Sequence, residues 1–273
     1  MKRYTWKTLI LEGIMLFAGI IFVIPFYILI NLSIKDPREQ SSSLVPASSL
    51  KFDNYTDAWV KAELGHAMLT SIVITSISVI LIVLISVTAA YPLARIGKKL
   101  TNRIYWLFLC GLLIPFQLGL IPMYQTMRDL HLLGSIWSLI IVYVGLQMPF
   151  SIFLYCGFIR VLPRDYEEAA WVDGANHFLT FWKVVFPLLR PITSTVLILN
   201  VIFIWNDFLS PLLYLSGTSN LTIPLTLFNF VGQWVSDWPL VFAGLVISTI
   251  PILALFFSLQ KSVMNGFAGG VKG

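Results

Sequence analysis

Charged side chains are scarce in this sequence. Aspartate, glutamate, lysine and arginine make up 11% of its residues and hydrophobic residues make up 58%, whereas soluble domains carry about 25% charged residues. A helix needs about 20 apolar residues to cross a bilayer. Uncharged runs of at least that length occupy residues 13–34, 64–94, 104–127, 130–159 and 238–260. The scarcity of charge therefore excludes an ordinary soluble domain and predicts a membrane protein.

A sixth apolar region, residues 192–215, is interrupted only by Asp207. Strands of a membrane barrel would alternate apolar and polar residues, and these runs do not. We therefore predict an all-α membrane protein in which residues 1–273 form one transmembrane domain. Its six helices are expected near residues 9–33, 68–94, 104–127, 136–160, 190–215 and 239–260.

The first apolar run could instead be a signal peptide, because Lys2, Arg3 and Lys7 precede it. Its apolar stretch exceeds the usual length of about 7–15 residues, and no small-residue cleavage site follows it. These features favour a retained first helix.

Cysteine and catalytic motifs are also scarce. Cys110 and Cys156 do not stand in a CxxC or Cys/His ligand spacing, so free thiols and no metal site are expected. The sequence lacks the phosphate loop G-x-x-x-x-G-K-[ST], the zinc motif H-E-x-x-H and the nucleophile motif G-x-S-x-G. The chain is therefore expected to bind no cofactor itself and not to be an enzyme.

Lysine and arginine are distributed unevenly among the predicted loops. One side of the membrane would hold Lys2, Arg3, Lys7, Arg95, Lys98, Lys99, Arg103, Arg160, Arg164, Lys183, Arg190, Lys261 and Lys272. The other side would hold only Lys35, Arg38, Lys51, Lys61 and Arg128. The positive-inside rule then predicts that both termini are cytoplasmic. This bias accounts for the net charge of +5, so nucleic-acid binding gains no support.

The polar loop at residues 162–188 would lie on the same cytoplasmic side. Tyr166, Ala169, Ala170 and Asp173 recur at the spacing of one helix face, and the alanines permit close approach of a partner. Gly174 is a natural helix stop. A second stripe, expected to pack against the helix bundle, comprises Phe178, Phe181, Trp182 and Val185. An ordinary interfacial loop is the simpler alternative, but it does not explain the exposed alanines.

Polar groups inside the predicted helices are few. Asp207 should face the bundle interior or water, because a charge at mid-bilayer is costly. It is either a group of a substrate pathway or a partner in a bond between helices. Neutral polar residues that could contact a sugar are Gln117, Tyr124, Gln147 and Asn206. Local helix breaks are predicted at Pro25, Pro92, Pro115, Pro122, Pro149, Pro211 and Pro251.

The residues Glu168-Ala169-Ala170, Asp173-Gly174-Ala175 and Phe186-Pro187-Leu188 resemble the EAA loop of permease subunits of binding-protein-dependent ATP-binding-cassette (ABC) importers. The spacing of these three motifs is similar to that in the smaller permease of the maltose importer type. The same permease is similar at residues 205–208 and in the tail 265–273, although many relatives carry Glu at the position of Asp207. The resemblance implies the type I importer architecture. It implies an ATPase-docking surface formed by Tyr166, Glu167, Glu168, Ala169, Ala170, Asp173, Gly174, Ala175 and Pro187.

The same resemblance implies the partners and the cofactors. A second permease, usually a different one, two ATP-binding subunits that hold ATP and Mg, and an extracytoplasmic sugar-binding protein are expected, in a bacterial or archaeal cell membrane. Two alternatives remain. One is an importer of glycerol phosphate or another polar solute; the other is an ATP-independent secondary transporter, which would favour more buried ionisable residues and internal repeats.

Overall fold

A computed structural model describes residues 5–39, 41–233 and 237–270. These residues are helical or irregular, and no strand occurs among them. In chain order their α-helices are α1 (Trp6–Ser33), α2 (Asp53–Lys61), α3 (Leu64–Arg95), α4 (Lys99–Leu113), α5 (Leu120–Asp129), α6 (Ile136–Val161), α7 (Asp165–Val172), α8 (His177–Thr180), α9 (Phe186–Leu188), α10 (Arg190–Asn206), α11 (Leu209–Leu215), α12 (Ile223–Gln233) and α13 (Trp238–Gly270). A 3-10 turn, Phe116–Gly119, precedes α5, and a π-helical turn, Phe181–Val185, follows α8.

Four of these helices contain a segment long and apolar enough to cross a membrane. The segments are Thr8–Ser33, Leu64–Arg95, Ile136–Val161 and Trp238–Ser258. Two bent pairs, Lys99–Leu113 with Phe116–Asp129 and His177–Leu188 with Arg190–Asn206, each pass the same test together. The described residues thus provide four to six candidate spans. The all-α membrane fold is confirmed, and the predicted number of six is reached when each bent pair forms one span.

The bend between α4 and α5 has a local cause. Ile114 adopts an extended backbone conformation immediately before Pro115, because the ring of a proline disfavours the helical conformation of the preceding residue. The two arms meet at 92°. The region predicted as one helix at 104–127 is therefore broken in its middle.

Most of the other prolines do not interrupt their helices. Pro25, Pro92, Pro149 and Pro251 lie inside continuous helices, so the predicted breaks do not occur at these positions. Pro122 and Pro211 lie in the first turns of α5 and α11, where a missing N–H removes no helical hydrogen bond.

The predicted fifth helix, residues 190–215, is also divided. α10 ends at Asn206, Asp207 is extended, and α11 begins at Leu209. Asp207 therefore lies at a helix break, which corrects the expectation of a carboxylate within a helix.

By its internal contacts the chain divides into two compact units, Met1–His66 with Thr226–Ile250 and Ala67–Leu225 with Pro251–Gly273. In the first unit, α1 is largely exposed and the segment after it folds back onto its end. The side-chain amide of Asn31 donates to the carbonyls of Ser43 and Val45, and that of Asn54 donates to the carbonyls of Ser33 and Lys35. The described residues of the polar connection between α1 and α2 thus form an ordered loop.

The second unit contains two apolar clusters. One packs α3, α6, α10 and α11 around the buried residues Ile82, Leu139, Tyr143 and Leu215. The other packs α3, α4 and α6 against the π-helical turn, with Ile152, Tyr155, Phe181 and Val185 in its centre. This second cluster holds the segment that carries the predicted docking loop.

Several sequence-based expectations fall partly outside the described residues. The resemblance of the tail includes residues 271–273, and the charge distribution includes Lys2, Arg3 and Lys272; these residues lie outside the described ranges. Both cysteines are free thiols, Cys156 buried and Cys110 exposed.

Candidate functional site

The helix α7 begins and ends where its sequence predicts. Asp165, Glu167 and Glu168 occupy its first turn, where the helix dipole favours negative charge. At the other end, the N–H of Ala175 donates to the carbonyl of Ala170 at 2.9 Å and the N–H of Gly174 to that of Trp171 at 3.0 Å. These two bonds form a Schellman motif, which requires the left-handed conformation that Gly174 adopts at φ +83°.

One face of α7 is open to the surroundings. Tyr166, Glu168 and Ala169 are exposed, and Ala170 is half-buried. Asp173 and Gly174 are exposed at its end and Ala175 is half-buried, while Pro187 is half-buried in α9. Apart from Glu167, the residues predicted for docking therefore lie at least partly at the surface.

Glu167 is the exception, because its residue is only 2% exposed. Its Oε1 accepts from Nε and Nη2 of Arg95, each at 2.7 Å, and its Oε2 accepts from the hydroxyl of Tyr91 at 2.9 Å. Held in this way, the carboxylate faces the end of α3. The expectation that Glu167 is available to a partner is corrected, since it is an internal anchor of α7.

The segment after α7 differs from its predicted stripe. Asn176 caps α8 by accepting from the N–H of Leu179 at 2.8 Å. Phe181 and Val185 are buried as expected, but Phe178 is 73% exposed. A π-helical turn, which closes each hydrogen bond over one more residue than an α-helix, begins at Phe181. The predicted stripe therefore does not continue as a single α-helix.

A cavity of about 680 Å³ lies between the end of α3 and this loop. Its walls are mainly aromatic, with Tyr91, Trp171, Phe178 and Trp182 among them, and the Arg95–Glu167 pair also lines it. No group of three or more residues suited to hold a metal ion occurs in the described part of the chain.

The candidate pathway residues are dispersed over several elements. Gln117 is exposed in the 3-10 turn, and Gln147 is half-buried in α6. Tyr124 stacks on Tyr214 with ring centroids 6.4 Å apart. Asn206 is exposed and donates to the carbonyl of Ile202 at 2.8 Å. The contacts of Tyr124 and Asn206 attach them to neighbouring residues, and the four side chains do not by themselves build a sugar site.

Asp207 connects two elements. Its Oδ2 accepts from the hydroxyl of Tyr143 in α6 at 3.0 Å, and its Oδ1 accepts from the N–H of Leu209 at 3.0 Å. These bonds favour the structural interpretation over the pathway interpretation. Tyr143 and Arg95 could not be identified from local sequence patterns, because each is distant in the chain from the carboxylate that it contacts.

Comparison with known proteins places these features in a family. The family model described as "Binding-protein-dependent transport system inner membrane component" matches residues 82–266. The chain is 34% identical over 252 residues to the melibiose/raffinose/stachyose import permease protein MelC of Bacillus subtilis (strain 168), covering 92% of this chain and 91% of that protein. It is 33% identical over 274 residues to the probable starch degradation products transport system permease protein AmyC of Thermoanaerobacterium thermosulfurigenes, covering 100% of both.

A solved structure shares the fold. It is described as the crystal structure of a bacterial ABC transporter involved in the import of the acidic polysaccharide alginate, and one of its chains superimposes with a TM-score of 0.79 at 22% identity, covering 96% of this chain and 99% of that chain. The family match spans more than half of the sequence and includes α7 with its buried anchor. The chain belongs to the family of inner membrane components of binding-protein-dependent transport systems.

Proposed function

We propose that this chain is the permease subunit of an ATP-driven importer and forms half of the translocation pathway for a sugar or oligosaccharide. Its family membership supports a transport subunit without catalytic activity. The similarity to permeases named for melibiose, raffinose, stachyose and starch products supports a carbohydrate cargo.

The exposed face of α7 is the observation that carries the coupling proposal. Glu168 and Ala169 are exposed on it, while the neighbouring Glu167 is buried and anchors the helix. A small side chain at Ala169 lets a partner surface approach the helix closely, and the carboxylate of Glu168 would pair with a basic residue there. We assign this partner as a separate ATPase subunit that binds ATP and Mg, with closure of the ATPase pair moving α7.

The complete importer would contain further chains. A second permease, most simply a different one in a heterodimer, would supply the other half of the pathway, and two ATP-binding subunits would dock beneath the pair. An extracytoplasmic sugar-binding protein would deliver the cargo. The unequal distribution of lysine and arginine supports cytoplasmic termini in a bacterial or archaeal cell membrane.

Co-purification tests the docking surface. We expect Glu168→Lys to reduce recovery of the ATPase subunits with the permease pair at least tenfold, because an unpaired or repelled charge in a buried contact costs about 3–5 kcal/mol. Asp57→Lys is the matched control, since it also reverses an exposed acid and breaks only the surface pair with Lys61. Equal recovery of the ATPase subunits with both variants would refute docking through Glu168.

Uptake by the reconstituted importer tests the cargo. Proteoliposomes that contain both permeases, the ATPase subunits and the binding protein are supplied with melibiose, raffinose, stachyose or glycerol 3-phosphate. We expect ATP-dependent uptake of at least one of the three sugars. Uptake of glycerol 3-phosphate alone would assign the other cargo class, and uptake without ATP would favour a secondary transporter.

A further inference from the structure

The contacts around Arg95 join three parts of the second unit at one point. Arg95 is the last residue of α3, and its side chain is 10% exposed. Besides the two bonds to Glu167, its Nη2 donates to the carbonyl of Leu162 at 2.9 Å, just after α6. Its own carbonyl accepts from Nη2 of Arg164 at 3.2 Å. The last turn of α3 is thereby bonded to the end of α6 and to the first turn of α7.

The helix α7 is not continuous with a helix on either side. Leu162 before the helix is extended, and Gly174 after it is left-handed. Both positions are non-helical, and a rotation of α7 relative to its neighbours in the chain would have to occur at one of them. The contacts of Glu167 lie between these two positions and oppose such rotation.

The geometry of the pair suits a rigid joint. A guanidinium is planar and donates in fixed directions, so the two bonds from Arg95 to Oε1 of Glu167 fix the direction of approach as well as the distance. Tyr91 holds the second oxygen of Glu167, and the ring of Tyr91 lies 5.0 Å from that of Phe181 in the π-helical turn. These contacts restrict rotation of the carboxylate about its terminal bond and oppose a turn of α7 relative to α3.

We propose that Arg95 and Glu167 are the positioning residues that make α7 and the α3 span move as one body, so that a displacement of α7 by an ATPase reaches the membrane-spanning part of the permease. This inference rests on the proposed function of α7. Glu168 and Ala169 receive the movement, and the Arg95–Glu167 pair passes it to α3.

A distance measurement tests the rigid joint without knowledge of the cargo. Spin labels are placed at Asp165 in α7 and at Ile80 in α3, both exposed, in a chain carrying Cys110→Ser and Cys156→Ala. The assembled importer is measured without nucleotide and with ATP in the presence of EDTA. We expect the same distance in both states with Glu167 present, and a distribution that broadens and shifts on ATP binding in Glu167→Gln. A distance that changes with Glu167 present, or an unchanged one in Glu167→Gln, would overturn the proposal.

The transport yield per ATP separates a coupling role from a purely structural one. We expect Arg95→Gln and Glu167→Gln to assemble with the ATPase subunits and hydrolyse ATP, while the ratio of uptake to ATP hydrolysis, measured with whichever sugar the parent importer takes up, falls about tenfold, a typical size for coupling between sites. In Arg95→Lys, which keeps the positive charge, the ratio of uptake to ATP hydrolysis should fall less. Arg103→Gln and Asp165→Asn are the matched controls, since each removes an exposed charge nearby. A lower yield of complex with an unchanged ratio would refute the proposal, whereas loss of ATPase binding by the parent chain would refute the proposed function instead.

Discussion

The hydroxyl of Tyr143 donates to Oδ2 of Asp207 at 3.0 Å and so bonds the N-terminal half of α6 to the break between α10 and α11. The other oxygen of Asp207 accepts from the N–H of Leu209, which would otherwise lack a partner at the start of α11. The carboxylate thus closes a helix end and links two helices at the same time.

Substitutions at Asp207 should separate its bonds from its charge. Asp207→Asn keeps an oxygen for the N–H of Leu209, and we expect sugar uptake close to that of the parent chain. Asp207→Ala removes this cap and should lower the free energy of unfolding by about 1 kcal/mol. Thermal unfolding in detergent and uptake in proteoliposomes measure the two effects. Loss of uptake in Asp207→Asn at unchanged stability would instead assign the charge to the pathway.

The ordered loop after α1 should be sensitive to acid. Hydrogen bonds from Ser41 and from Ser48 lower the pKa of Glu39 from its ordinary value of 4.5 to about 2. A lowered pKa in the folded state stabilises the loop above pH 5, and this contribution is lost as the pH falls from about 5 to about 2. We expect hydrogen-exchange protection at the amide of Ser48, which donates to Glu39 at 3.1 Å, to fall over that range.

Glu39→Gln provides the control for this pH dependence. The side-chain amide of this variant does not titrate. Hydrogen-exchange protection at the backbone amide of Ser48 should therefore be lower than in the parent chain at neutral pH and constant between pH 5 and pH 2. The same decline in both chains would mean that another group causes it.

Local sequence signals account for much of the architecture and for part of the candidate site. Apolar runs predicted the spans, and the first-turn acids and Gly174 predicted the bounds of α7, because these features depend on neighbouring residues. The anchor at Glu167 could not be predicted in this way, since its partner Arg95 belongs to another helix. Likewise, the local pattern did not predict the π-helical turn at Phe181, which packs against α3 and α6, or the exposure of Phe178.

The left-handed conformation of Gly174 should make this position sensitive to substitution. The space around it is open, so the penalty for a side chain comes from its backbone and not from a clash. We expect Gly174→Ala to weaken ATPase binding about fivefold, corresponding to about 1 kcal/mol. Gly174→Asn should weaken ATPase binding less, because asparagine tolerates the left-handed conformation. Gly174→Pro should weaken ATPase binding more, because proline also lacks the N–H that donates to the carbonyl of Trp171.

Gly145→Ala is the matched control for Gly174. This glycine is also surrounded by open space but lies within α6 with no left-handed backbone. Binding titrations with the purified ATPase subunit should therefore show no loss for it. An equal loss at Gly145 would mean that the effect does not arise from the Schellman motif.

The buried amide of Asn200 should stabilise the packing of α10 on α6. It is 1% exposed, and its Nδ2 donates to Oγ of Ser151 at 3.1 Å and to the carbonyl of Val196 at 2.7 Å. Hydrogen bonds between membrane helices contribute about 0.6 kcal/mol on average and about 1.7 kcal/mol at most. We expect Asn200→Ala to cost about 1 kcal/mol and Ser151→Ala less, because Asn200 then keeps its bond to Val196. Unfolding of the two single variants and the double variant in mixed micelles gives their coupling energy, which should be positive and below about 2 kcal/mol. A coupling energy of zero would show that the two side chains contribute independently and that the bond between the helices adds no stability.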